Sequence, residues 1–411
     1  MIELDKSQLE AYEKFKEFLD SGINNFILKG YAGTGKTTIL NEIIEVIGNE
    51  GKTPVCICYT GKAASNMMEK TGFDCFTIHK VIYEYENMKN APEFFNSTLE
   101  EQAALMAAQE LTSILECDFL IIDEYSLLTK KIVDDVLNFN KKVLWCGDEG
   151  QLEPICSGDV DQIIKLGEYL KDDVIEVELK TIHRQEKGCS ILDLAYDVRI
   201  GRVHLQEVKN NGLTITRRDI EKYKFTSESL KNTVILCWKN NTRYKINTMI
   251  RNKLKVKGSL PNPGENMVVL RNNYDYELFN GQQLTIVEVG DEQECYGLKY
   301  LTCRVQLNNG YPFPIDIWVN PFYRKNNLKY NFELSDFYKG DSKQIKKTIW
   351  DQYKKLVHLD FGYCMTIHKS QGSQWDNVIL IKKDLYGYKG QLNRMLYTAV
   401  TRASKNLLVT I

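Results

Sequence analysis

The run GYAGTGKT at residues 30–37 constrains this chain more than any other feature. It matches G-x-x-x-x-G-K-[ST], follows the strand-like run FILK at 26–29 and opens a helical stretch at about 36–47. Gly30, Gly33 and Gly35 let backbone N–H groups turn inward around phosphates, and the helix N-terminus adds its dipole. Lys36 then reaches the β- and γ-phosphates of a nucleotide and Thr37 can hold Mg²⁺, with Thr34 and Thr38 completing the expected ATP-binding run. A chance glycine-rich turn is the bland reading. The strand before the loop and the helix after it argue against it.

The same alternation continues. Strand-like runs stand at 26–29, 54–60, 119–122 and 142–146, with helical stretches at about 36–47 and 62–70, which predicts a parallel α/β sheet. An insertion at 80–110 carries Tyr83, Tyr85, Pro92, Phe94 and Phe95 and then a helical EQAALMAAQELTSIL run. A second α/β half has one strand at 234–238, others near 360–365 and 377–381, and a last one in NLLVTI. Between its two parts, VVL, QLTIVEV, YLTCRV and FPIDIWV are separated by Gly and Asn turns, which suggests a small β-barrel. The expected organisation is a first sheet domain at 1–79 and 111–185, an inserted subdomain at 80–110, a second sheet domain at 186–260 and 356–411, and a β module with an extension at 261–355.

LIIDE at 120–124 is an apolar strand ending in two acids. Asp123 is placed to hold Mg²⁺, and Glu124 to activate an attacking water. A solvated strand end would explain the pair taken alone. Beside a P loop, the pair favours a hydrolase over a kinase, because it supplies a base for water.

Composition narrows the setting. No apolar run approaches the roughly 18 residues that span a bilayer, so no membrane association is expected, and MIELDKSQLE lacks the apolar core of a secretory signal. Eleven cysteines never fall in C-x-x-C spacing and the five histidines are dispersed, so neither a disulfide framework nor a zinc site is expected. A reducing cytoplasm fits best, and abundant Asn, Lys, Ile and Tyr are consistent with an AT-rich genome, phage or bacterial. With a net charge of −2, any nucleic-acid groove must be basic locally.

From here the motifs resemble those of superfamily 1 helicases of the RecD-like, 5′-to-3′ branch, in order along nearly the whole chain. LDKSQ at 4–8 is similar to the adenine-reading Q motif, YTGKAA at 59–64 and TIHK at 77–80 to DNA-contact motifs, and IIDEYSLL at 121–128 to motif II. GDEGQLEPI at 147–155 resembles motif III, IHRQ at 182–185 motif IV, MTIHKSQGSQWDNV at 365–378 motif V and LYTAVTRASKNLLV at 396–409 motif VI. The resemblance implies two RecA-like domains with ATP between them, Gln8 as adenine reader, Gln151 as γ-phosphate sensor, and Arg184 and Arg402 as arginine fingers. It implies single-stranded DNA contacts at Thr60, Thr77, His79, Asn240, Thr366, His368 and Ser370, side chains that suit phosphates without sequence readout. It also implies an SH3-like β module and a strand-splitting pin in the 80–110 insertion, with Phe94 and Phe95 at its tip. Ordinary subdomain packing is the alternative for that pair.

Two departures stand out: Tyr31 where many relatives have Pro, and Gln374 where they often have Glu. Among the tryptophans, Trp145 and Trp375 read as core, Trp238 as either core or stacking platform, and Trp318 and Trp350 as packing the β module against its extension. The activity expected is a monomeric, ATP- and Mg²⁺-dependent helicase acting on single-stranded and tailed duplex DNA beside replication or recombination proteins. The alternatives are an RNA or protein-displacing translocase, or an ATP-gated assembly factor.

Overall fold

The computed structural model describes residues 4–78, 81–82, 117–154, 160–181, 190–203, 205–273, 275–307, 310–319, 322, 343–388 and 391–411. The chain divides into two compact units, Met1–Gly188 and Cys189–Ile411.

In the first unit, β1 (Asn25–Gly30), β2 (Pro54–Cys58), β3 (Cys75–Thr77), β4 (Phe119–Asp123), β5 (Lys142–Gly147) and β6 (Val174–Leu179) form one sheet in the order β3-β2-β4-β5-β1-β6. Every pairing is parallel. The helices are α1 (Lys6–Asp20), α2 (Lys36–Asn49), α3 (Gly61–Thr71), α4 (Lys130–Leu137) and α5 (Leu166–Leu170). Strand alternation sorts the core into two layers. Phe26, Leu28, Phe119 and Ile121 meet Phe15 and Phe18 of α1 and Ile39 and Ile43 of α2. Ile27, Leu120, Ile122 and Trp145 meet Val133 and Val136 of α4. Burial of both faces explains why these strands read as continuous apolar runs.

In the second unit, α6 (Ser190–Arg199), β7 (Val208–Asn210), β8 (Leu213–Thr216), β9 (Thr233–Cys237) and α7 (Asn240–Lys253) come first. Next are β10 (Asn266–Val269), β11 (Gln283–Cys295), β12 (Leu298–Gln306), β13 (Phe313–Trp318), α8 (Lys343–Lys355) and β14 (Leu359–Phe361). The chain ends with β15 (Cys364–Thr366), β16 (Trp375–Ile381), α9 (Leu392–Val400) and β17 (Ala403–Thr410). The larger sheet has the order β15-β9-β16-β17-β8-β7 and is parallel except for β7. The smaller, antiparallel sheet has the order β13-β12-β11-β10-β14. A bridge between Ile317 and Val357 joins its two edges, closing the small barrel.

The single strand expected near 360–365 is two strands in different sheets. β14 pairs with β10 of the barrel and β15 with β9 of the parallel sheet. Gly362 makes the corner between them, where a Cβ would stand 3.0 Å from the Met267 backbone carbon. Arg251 of α7 anchors the barrel to the sheet. Its guanidinium reaches Glu265 at 2.7 and 3.1 Å and the Leu260 carbonyl at 2.8 Å, over the Phe361 ring.

Trp145 and Trp375 are buried, and Trp318 packs on Tyr353 of α8. The Trp350 side chain lies outside the described residues. No described helix is long and apolar enough to cross a membrane.

Candidate active site

Six parallel strands bring their carboxyl ends to one edge, where open α/β sheets bind ligands. The P loop leaves β1 there, Asp123 ends β4 and Gly147 ends β5. Gly33 and Gly35 adopt φ of 86° and 77°, the left-handed region that glycine enters without strain. A Cβ on Gly30 would meet the Thr34 hydroxyl oxygen at 2.6 Å. Lys36 and Thr37 open α2, and Thr38 follows in its first turn. The Lys36 ammonium donates to the carbonyl oxygens of Gly30 at 2.7 Å and Tyr31 at 3.1 Å.

Gln8 ties α1 to this loop. Its Oε1 accepts the Asp5 N–H at 3.0 Å, completing a capping box, and its Nε2 donates to the Thr34 carbonyl at 3.3 Å. Gln8 is buried, so much of its carboxamide serves the loop's support.

Burial holds the Asp123 carboxyl above its ordinary value, against the pull of Lys36. Cys146, its register partner on β5, is itself driven up by burial, stays a thiol and hydrogen-bonds the carboxylate. The Asp123 carboxylate and the Thr37 hydroxyl are hard oxygen donors, the kind Mg²⁺ takes. Glu124 stands at φ 57°, an uncommon left-handed turn for a non-glycine residue, and its N–H donates to Asp123 at 3.0 Å. Behind these groups, the Tyr125 hydroxyl donates to Glu149 at 3.2 Å, and Lys29 bridges Glu149 at 3.0 Å and Glu176 at 2.8 Å. Although burial pulls the other way, those two carboxylates raise the Lys29 ammonium above its usual range. Asp148 and Gln151 are buried in the turn after β5, where the Gln151 N–H donates to the Asp148 carbonyl at 3.1 Å.

Two of the DNA-contact residues predicted for the first unit, Thr60 and Thr77, fall at the same edge. The Thr60 hydroxyl oxygen caps α3 through the Ala63 N–H at 3.2 Å and keeps its own proton to donate. Thr77 ends β3. Next to Thr60, burial lowers the Lys62 ammonium to about 8.

In the second unit, β15 and β9 are neighbours, so Thr366 and Asn240 reach one corner of the parallel sheet's carboxyl edge. Asn240 is exposed and His368 part-buried, its imidazole pushed down by burial. Ser370 is fully buried and its hydroxyl donates to the Ile367 carbonyl at 2.7 Å, so it shapes the motif V turn from within. Arg402, before β17, lies at the opposite edge by strand register. Its guanidinium is buried and donates to the carbonyls of Thr398 at 2.9 Å and Ser373 at 3.2 Å and to the Thr401 hydroxyl at 3.1 Å. Motif VI is thereby fastened to motif V. Gln374 reaches the Thr401 carbonyl at 3.5 Å, part of the same junction.

His79, Phe94, Phe95 and Arg184 lie outside the described residues. Sequence reading passed over Cys146, Lys62 and Asp384. Lys62 lies inside the YTGKAA run and Cys146 directly before GDEGQLEPI, and that placement was the available signal.

One unit carries a P loop and an acidic strand end on a single edge, and the other repeats the parallel sheet without a P loop of its own. That defines a two-sheet P-loop nucleoside triphosphatase. The family described as "AAA domain" matches residues 3–218, and the "UvrD-like helicase C-terminal domain" matches residues 361–410. The chain belongs to this AAA-domain family, with the architecture of the superfamily 1 helicases. It is 23% identical over 448 residues to the ATP-dependent DNA helicase dda of Enterobacteria phage T4, covering 97% of each chain. It is 21% identical over 431 residues to the ATP-dependent DNA helicase Pif1 of Campylobacter jejuni, covering 96% of this chain and 89% of that one. Among solved structures, a Bacteroides Pif1 helicase in complex with ADP-AlF3 and single-stranded DNA superposes at a TM-score of 0.55 and 17% identity, over 100% of this chain and 93% of that one. A structure of Pif1 helicases at forked double-stranded DNA superposes at 0.58 with 18% identity, over 100% and 92%.

Proposed function

We propose that this chain is an ATP-dependent DNA helicase that moves 5′ to 3′ along single-stranded DNA as a monomer and opens tailed duplexes. The observation that carries the reading is the division of labour between its two sheets. The P loop, Asp123 and Glu124 share one edge of the first, while Asn240, Thr366 and His368 share the carboxyl edge of the second. A hydrolase that only switched partners has no use for that second set.

In this reading Lys36 and the loop amides hold the phosphates, Gln8 contributes to adenine recognition, and Glu124 takes the proton of the attacking water. Gln151 senses the γ-phosphate, and Arg184 and Arg402 supply the positive charge that arginine fingers bring. Thr37 and Asp123 would hold Mg²⁺, which neutralises phosphate charge when bound. The domains follow the boundaries given above, except that the β module takes in β14 and so runs on to Phe361, with 80–110 as the pin subdomain.

The deciding test is unwinding of duplexes bearing either a 5′ or a 3′ single-stranded tail. Opening only the 5′-tailed substrate supports the reading, and opening only the 3′-tailed one sinks the polarity. Affinity for single strands should fall with salt at a log–log slope of about −0.7 per neutralised phosphate. For the pin, Phe94→Ala with Phe95→Ala should keep DNA-stimulated ATPase within a few-fold and lose most unwinding. Joint loss of ATPase and thermal stability would instead mark the pair as packing residues.

A further inference from the structure

We propose that Trp238, Tyr386 and Tyr388, with Lys239 and Lys382, form a stacking surface for an unpaired base of single-stranded DNA. The proposal rests on the helicase reading and adds a base-contacting site to its backbone contacts.

The surface is built where β9 and its neighbour β16 end. Trp238 follows β9, and Tyr386 and Tyr388 follow β16, with Gly387 turning the chain between them at φ 85°. The Trp238 and Tyr388 rings stand 5.0 Å apart at 72°. The Lys239 ammonium lies 4.9 Å from the centre of the Trp238 ring, and that of Lys382 lies 5.0 Å from the Tyr386 ring, which is 64% exposed.

Trp145 and Trp375 show how this fold treats an indole it means to bury. Trp145 is fully buried with its N–H on Asn25 at 2.9 Å, and Trp375 is buried with its N–H on Gln283 at 2.7 Å. Trp238 is left part-exposed under an ammonium.

The surface is also held in place. The N-cap residue of α7, Lys239, makes no side-chain cap. Asp384, from the segment after β16, instead pins the residues that lead into α7. Its carboxylate accepts the N–H groups of Trp238 at 2.7 Å and Lys239 at 2.8 Å and the Thr242 hydroxyl at 2.5 Å. A buried carboxylate receiving three donors fixes the loop before any ligand arrives. Asp384 is therefore a positioning residue for both Trp238 and the exposed Asn240 that starts α7.

The occupant follows from the chemistry. Aromatic rings beside mobile ammonium groups match a base and its phosphate, and only an unpaired base offers both faces for stacking. In a duplex those faces are already stacked.

The test uses the full chain and two probes of equal length, oligo-dT and an abasic strand with the same phosphates. Affinities are read by fluorescence anisotropy. Trp238→Ala should weaken oligo-dT binding at least about fivefold, the low end of base stacking, and leave abasic binding within about twofold. Trp238→Phe should recover most of the loss. Unchanged oligo-dT binding by Trp238→Ala overturns the proposal. So does an equal loss on both strands, which would make the indole a mere support for its loop. A parent chain that binds neither strand overturns the helicase reading, and this site with it.

Discussion

The Lys36 ammonium stands 2.7 Å from the carbonyl oxygen of Gly30, six residues back across its own loop. A second bond to the Tyr31 carbonyl keeps it inside the loop. Binding a nucleotide exchanges these neutral acceptors for phosphate oxygens, and a hydrogen bond to a charged partner contributes about 1.5–3 kcal/mol. Lys36→Ala should therefore weaken ATP binding by roughly 10- to 150-fold. Calorimetric titration with a non-hydrolysable analogue measures this directly. Affinity equal to the parent's would remove Lys36 from the phosphate site.

Glu124 sits in the turn beside Asp123, in the left-handed backbone region at φ 57°. Glu124→Gln should leave nucleotide affinity near the parent's and cut turnover by about 10²–10⁴, the usual contribution of a general base. Normal turnover in this variant would reassign the proton acceptor.

Arg402 donates to Thr398, Ser373 and Thr401, all within the second unit. A guanidinium so engaged supports the junction of motifs V and VI whatever it does to phosphate. Arg402→Ala should lower stability by about 1–3 kcal/mol through the carbonyls left without donors. It should also abolish most DNA-stimulated hydrolysis while ATP still binds. Arg402→Lys separates the two effects, recovering part of the stability and little of the turnover. Full DNA-stimulated turnover in Arg402→Ala would end the finger assignment.

What sequence could reveal depended on whether the governing contact was local. The P loop and the Asp123–Glu124 pair were legible because their chemistry is set by neighbours in the chain. The central strands were legible because both of their faces are buried. β6 was missed because VIEVEL mixes acids into an edge strand that shows polar residues to solvent. The split at Gly362 was missed because one apolar stretch feeds two sheets, and only the close approach of the Met267 backbone reveals the corner. Asp384 was invisible for a related reason: its three donors lie more than 140 residues earlier in the chain.

His358 gives the barrel a pH dependence whose sign can be worked out. The imidazole packs 4.8 Å from the Trp318 ring and 4.6 Å from the Tyr353 ring, centre to centre, just after α8. Burial, reinforced by the positive charge of Arg271, pushes its pKa down to about 4. Its Nε2 is buried with no hydrogen-bond partner, a tolerable state for a neutral ring and a costly one for a cation. An unfolded histidine titrates near 6.5, so between roughly pH 6.5 and 4 the unfolded chain binds this proton and the folded one does not. Its contribution to stability is therefore complete above about pH 6.5, declines as the pH falls, and is fully lost near pH 4. At about 1.4 kcal/mol per pKa unit the loss has a ceiling of about 3.5 kcal/mol, and solvent near the part-exposed ring reduces it. Urea unfolding of the parent and of His358→Phe at a series of pH values tests the account. Phenylalanine keeps the ring packing and removes the proton site, so the variant should lose less stability than the parent between pH 7 and 4.5. Parallel losses across that range would show that the imidazole is protonated in the folded protein and that its burial does not govern its charge.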